Sequence, residues 1–220
     1  ALVQRGALVT VIEAGGRMVP RMLDVTAGAL LRAWCESKGV VVRTNVQVAA
    51  VEQGGSNLSV RLADGTRLAA DTLVCAAGVT PNLAWLQDSG LEMELGLLVN
   101  RHLQTSATDI YAAGDVAQGL DFYGGFRVQA IQPSAVEHGR IAALNMAGHT
   151  EALHRGSLNM NVLDALGLVT ASFGQWQGVE GGDSAELLDT DRYRYLKLQF
   201  QDDVLVGVQS VGHTDHLGVL

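Results

Sequence analysis

"TSATDIYAAGDVAQG", residues 105–119, runs four apolar or small residues (Ile110, Tyr111, Ala112, Ala113) directly into Gly114 and Asp115, with no lysine or arginine in the stretch. Such a run reads as a buried strand, so its end aims a carboxylate outward. A surface loop would account for the aspartate but not for the small residues packed up to it. The pattern calls for something that the carboxylate faces.

Composition narrows what that something is. The 220 residues are 48% hydrophobic and 17% charged, which suits a soluble protein with a substantial core in one large or two small domains. Gly 26 against Pro 3 means many tight turns and close backbone approaches, as nucleotide-binding α/β proteins need. A net charge of −8 argues against nucleic acid, which requires a basic surface. Cys35 and Cys75 form neither a disulfide framework nor a metal-ligand spacing, so a cytoplasmic location is the expectation. No apolar run reaches the ~18–20 residues of a membrane helix, and no signal-peptide pattern opens the chain. "ALVQRG" (1–6) reads as the tail of a helix without its start, and the chain is expected to be a fragment of a longer protein.

Outward from the opening stretch, "ALVTVIE" (7–13) reads as a buried strand ending on an acid. Asp24 is placed to cap a helix running to about Lys38, with Ala27, Leu30, Leu31 and Trp34 on one face and Gly39 ending it. "VVVRT" (40–44) follows as a strand, completing a strand–helix–strand order typical of a parallel unit. Gly54-Gly55 and Asp64-Gly65 then punctuate a meander. Its last strand, "TLVCAAG" (72–78), is apolar throughout and is expected to be buried on both faces. A short helix near 83–89, a strand at 97–99 and a helix from Pro133 to Gly148 come next. Ala135, Val136, Ile141, Ala142 and Leu144 give that helix its apolar content. Beyond about residue 155, five alternating segments read as an antiparallel sheet, with Asp202-Asp203 turning the last hairpin.

Two further positions carry chemistry. Glu13 ends a buried strand of a parallel sheet, where dinucleotide-binding folds place an acid to accept hydrogen bonds from the adenine ribose hydroxyls. A carboxylate there suits NAD and repels the 2′-phosphate of NADP, although Arg17, four residues on, keeps NADP open. The bland reading, a strand-end acid facing water, weighs equally on this residue alone. Gly78, in "GVTPN" (78–82), lets a ligand approach the backbone, or else simply makes an ordinary strand-to-loop turn.

Together, "VTVIE", "DGTRLAADTLVCAAGVTPN", "LQTSATDIYAAGDVAQ" and "AVEHGRIAALNMAG" resemble, in order and spacing, the flavoprotein pyridine nucleotide-disulfide oxidoreductases. The resemblance covers nearly the whole chain, and the third stretch is its most specific part. It implies an α/β fold: parts of two Rossmann-like FAD- and NAD(P)-binding domains followed by a small α+β C-terminal domain. The corresponding boundaries are 1–79 (NAD(P)-binding), 80–152 (FAD-binding) and 153–220 (interface-type). It implies FAD and NAD(P)H, NADH favoured, as cofactors. Asp115 would accept hydrogen bonds from the ribityl chain of FAD, with Gly114 leaving room for it. The helix at Pro133 would direct its N-terminus at the flavin pyrimidine ring. Glu13 would belong to the NAD site and Gly78 to the nicotinamide end.

The implied activity is an FAD-dependent NAD(P)H oxidoreductase delivering electrons to a small redox protein or a small-molecule acceptor, with a homodimer as one expected assembly. Rubredoxin reductases and the flavin portion of nitrite reductases are the nearer resemblance; NADH oxidases and coenzyme A-disulfide reductases are the rival. A reading of a different class is a cofactor-free, non-catalytic interaction module, because both dinucleotide glycine loops of the family lie outside this sequence. No catalytic residue is assigned. Cys35, Cys75, Trp85, Trp176 and Phe173 read as packing residues, and the Tyr123–Phe126 loop reads as a surface turn. The six histidines show no metal spacing; His213 and His216 lack further ligands, and no metal site is expected.

Overall fold

A computed structural model describes residues 2–212. It resolves into two units: the described residues up to Ala76 together with those from Asn161 onward, and residues 77–160.

In the first unit, β1 (Thr10–Ile12) is followed by α1 (Val25–Ser37) and β2 (Val41–Arg43). The two strands pair in parallel, Thr10 opposite Val41 and Ile12 opposite Arg43. Asp24 begins α1 as the sequence predicts: its carboxylate accepts the amide of Ala27 at 2.9 Å, satisfying a first-turn donor that has no partner within the helix. Gly39 ends the helix at φ +85°. Ala27, Leu30, Leu31 and Cys35 are buried, which confirms Cys35 as a packing residue. The meander follows as β3 (Val48–Gly54), β4 (Asn57–Leu62) and β5 (Arg67–Ala70), a three-stranded antiparallel sheet in that order.

The segment "TLVCAAG" departs from expectation. Residues 72–78 form no strand, and 71–80 are exposed throughout, Cys75 included. An all-apolar strand is buried only when neighbours pair with it and layers cover both faces. Among the described residues, no strand pairs with this segment.

In the second unit, β6 (Leu97–Leu98) pairs in parallel with β7 (Ala117–Leu120), which pairs antiparallel with β8 (Phe126–Val128). The regular strand therefore follows Gly114-Asp115 rather than preceding it. Over 110–113 there is only an isolated bridge from Tyr111 to Gln104, and Gly114–Val116 is a turn of 3-10 helix. Pairing decides this, because Leu97 and Leu98 meet Ala117 and Gln118. Then comes α2 (Gln132–Met146), with Pro133 in its first turn and Gly148 (φ +89°) beyond its end. Its buried side is partly polar, carrying Ser134, His138, Ile141, Ala142 and Asn145, while Val136 is exposed. Asn145 is satisfied by carbonyls of His102, Ile141 and Ala152 at 2.8–3.2 Å. Trp85, expected to pack, is also exposed.

The remaining strands are β9 (Met160–Ala165), β10 (Leu168–Gly174), β11 (Asp183–Asp189), β12 (Arg194–Gln201) and β13 (Val204–Val211). They form one sheet in the order β11-β12-β13-β10-β9. Asp202 and Asp203 turn the last hairpin with φ 48° and 64°, the left-handed pair of a type I′ turn. This sheet shares a core with α1, in which Leu168, Tyr195 and Val211 join Leu31 and Cys35. His213 and His216 lie outside the described residues.

Candidate functional site

The expected residues Gly114, Asp115 and Pro133 fall at one place in the second unit. Gly114 has φ +75°, a left-handed conformation that glycine adopts without strain. A methyl group placed on it would stand 3.4 Å from Cβ of Ala135, in the first turn of α2. The turn carrying Asp115 thus lies directly against the start of the helix. Asp115 is exposed, so its carboxylate is presented to whatever occupies that surface.

The helix start is itself open. Ile131 stands at the N-cap and supplies no capping side chain, and Pro133 has no N–H to leave unsatisfied. The amides of this turn and the aligned peptide dipoles create a positive end suited to an electron-rich or anionic group. A carboxylate that accepts from hydroxyls and a helix end that donates to an anion make complementary recognition elements.

Glu13 lies in the first unit, one residue past β1, with its amide bonded to the carbonyl of Arg43. Its carboxylate is half-buried and accepts the amide of Gly15 at 2.7 Å. That bond engages one of the two carboxylate oxygens. Arg17 is turned away into its own loop. Its Nε donates to the carbonyl of Leu23 at 2.7 Å, and Nη2 donates to that of Pro20 at 3.3 Å. Gly78 (φ +97°) sits in the exposed 71–80 segment.

Sequence reading missed a buried polar cluster on the inner side of α2. His138, His154 and Ser157 are 1–3% exposed, and the serine hydroxyl lies 3.1 Å and 3.3 Å from the two imidazole Nε2 atoms. Asp121 is buried beside them, its carboxylate accepting the Tyr123 amide at 2.9 Å and the Gln129 side chain at 2.8 Å. No periodicity announces such a cluster; a histidine on a helix face is the only signal. Among the described residues there is no group of three or more potential metal ligands, and no helix is long and apolar enough to cross a membrane.

The chain is similar to known proteins along its length. A family model described as pyridine nucleotide-disulphide oxidoreductase matches residues 1–142. The epsilon subunit of the NADH-dependent phenylglyoxylate dehydrogenase of Aromatoleum evansii is 32% identical over 222 residues, covering 100% of this chain and 52% of that protein. A rubredoxin-NAD(+) reductase of Ectopseudomonas oleovorans is 32% identical over 151 residues, 67% of this chain and 39% of that one. The solved structure of reduced Bacillus anthracis CoADR-RHD superposes with a TM-score of 0.84 at 25% identity, covering 99% of this chain and 42% of that chain. The chain spans about half the length, or less, of these relatives.

Proposed function

The chain belongs to the pyridine nucleotide-disulphide oxidoreductase family, and from that premise we propose that it forms part of an FAD-dependent enzyme that oxidises NAD(P)H, with NADH preferred. Bound FAD would supply the redox chemistry, taking a hydride from the nicotinamide and releasing electrons to a second acceptor. The residues of this chain bind and orient.

One observation carries the reading: the Gly114-Asp115 turn packs against the uncapped start of α2. Asp115 accepts hydrogen bonds from the ribityl hydroxyls, a pairing in which the ionised acceptor strengthens each bond. Gly114 keeps the surface beside it free of a side chain. The first turn of α2 would face the pyrimidine side of the ring and stabilise negative charge there, because its dipoles are fixed beforehand. Glu13, aimed by the Gly15 amide, would accept from the adenine ribose hydroxyls. Arg17 is bonded to two carbonyls of its own loop rather than held out for a 2′-phosphate, and this supports NADH. A small redox protein or small-molecule acceptor fits the family, and the similarity to a rubredoxin reductase supports the former.

Flavin retention tests the assignment. In the whole protein carrying this chain, Asp115→Ala is expected to weaken FAD binding by about 10- to 150-fold, the equivalent of ~1.5–3 kcal/mol for a charge-assisted bond. Flavin absorbance and fluorescence during titration of the apoprotein report it. Unchanged FAD affinity in the variant would remove Asp115 from the site. A wild-type protein that takes up no FAD would overturn the proposal itself and favour the non-catalytic module.

A further inference from the structure

The buried histidine cluster belongs to no part of the proposed cofactor site. His138 comes from α2; His154 and Ser157 come from the segment that follows it, and the rings of His138 and His154 meet edge to face with centroids 4.6 Å apart. The serine hydroxyl bridges the two Nε2 atoms. Both Nδ1 atoms are buried without a hydrogen-bond partner among the described residues. Glu137, half-exposed on α2, brings a carboxylate oxygen to 3.7 Å from His154 Nδ1.

The proton positions follow from this network. A hydroxyl has one hydrogen, so Ser157 donates to one ring and accepts from the other. A carboxylate facing His154 Nδ1 calls for a hydrogen on that nitrogen. His154 Nε2 is then bare and accepts from Ser157, whose oxygen accepts from His138 Nε2–H. His138 Nδ1 is left as a lone pair. The reverse order would point that lone pair of His154 at the carboxylate and bury an unpaired N–H on His138.

The same segment is tied down by three backbone bonds. His154 donates to the carbonyl of Arg101 at 2.7 Å, Ser157 to Leu120 at 2.9 Å, and Phe122 to Ser157 at 3.0 Å. The last two clasp the tip of the β7–β8 hairpin, where Phe122 and Tyr123 are exposed.

We infer that His138, Ser157 and His154 form an acid-released latch holding the 154–157 segment and the β7–β8 hairpin tip against α2. A proton on His138 Nδ1 creates a buried N–H without an acceptor. That charge stands beside the His154 ring, with few groups to compensate it. Glu137 on α2 is the facing acid, while the Asp121 carboxylate on the hairpin is engaged by Tyr123 and Gln129.

Burial first, and then the adjacent His154, hold His138 below the ordinary histidine value of 6.5, against a smaller opposing pull from Glu137. The released segment then binds more protons than the latched one. The latch is at full strength above pH 6.5 and weakens as pH falls toward the lowered value.

Amide hydrogen exchange of the 220-residue chain, corrected for intrinsic rates, tests this at His154, Ser157 and Phe122. Between pH 7.5 and 5.5, exchange at these amides is expected to rise about five- to tenfold, the limit for one linked proton over that interval. Amides in α1 are expected to stay level. His138→Gln keeps a donor to Ser157 but cannot titrate, and is expected to cut the rise below twofold. No rise in the wild type, or a full rise in the variant, overturns the latch. Should the variant not fold, the wild-type imidazole 1H–13C titration decides. A His138 midpoint below 6.5 that coincides with the exchange change supports the latch, and a midpoint at or above 6.5 overturns it.

Discussion

Gly156 and Gly139 lie in the same unit, and a methyl group added to each has opposite consequences. Gly156 has φ +109°, and a Cβ there would sit 2.7 Å from backbone atoms of Phe122. Gly139 lies inside α2 with open space around it. Gly156→Ala is therefore expected to cost about 2–4 kcal/mol, from backbone strain plus overpacking. Gly139→Ala is expected to stabilise by about 0.5–1 kcal/mol through helix propensity. Urea midpoints for the two variants check the signs, and a shared sign would contradict the packing described. Legibility also differs between single residues. The candidates Asp115 and Glu13 stand out in the sequence because each sits in a short local pattern. His138 and Ser157 do not, because their pairing joins residues 19 positions apart and follows no periodicity.

At the scale of elements, the start of α1 is fastened to the distant sheet. Tyr195, 1% exposed on β12, donates to Asp24 Oδ2 at 2.9 Å, while Asp24 Oδ1 caps the helix. Gln209 on β13 accepts the Asp24 amide at 3.2 Å and donates to the Met22 carbonyl at 3.0 Å. Lys197 joins with 2.6 Å to Glu186 and 3.8 Å to Asp24. Burial, then the Asp24 bond, push the Tyr195 hydroxyl well above its ordinary value, so it stays a donor. Tyr195→Phe is expected to cost about 1–2 kcal/mol. Asp24→Ala is expected to cost about 2–4 kcal/mol, since it removes the cap as well and leaves the buried hydroxyl unpaired. The double variant is expected to fall short of the sum by about 1 kcal/mol, because both changes delete the same bond. Equilibrium unfolding of the three variants measures this, and full additivity would mean that the bond contributes nothing. The cap was legible in "DVTAGALL"; its partner, 171 residues away, was not.

At the scale of the whole molecule, residues from both ends of the chain share one core, with 77–160 forming the other unit between them in sequence. A specific protease site inserted between Ala76 and Ala77 is expected to give two pieces that co-elute on gel filtration and separate only in denaturant. Separation under native conditions would refute the shared core. The sequence by itself determined the elements with local causes: the cap and glycine stop of α1, the two turns of the meander, the Asp202-Asp203 hairpin, and the family that the short motifs signal. Each is settled within a few residues, by a side chain bonding its own backbone or by a glycine releasing φ. Only the tertiary structure decided which apolar segments pair and which polar ones are buried. "TLVCAAG" lies exposed without a neighbouring strand, and the strand at the opening motif falls after the aspartate, where β6 offers a partner. The buried side of α2 carries two imidazole-linked contacts that no pattern foretold. Burial and pairing are properties of two surfaces meeting, and a sequence pattern specifies only one of them.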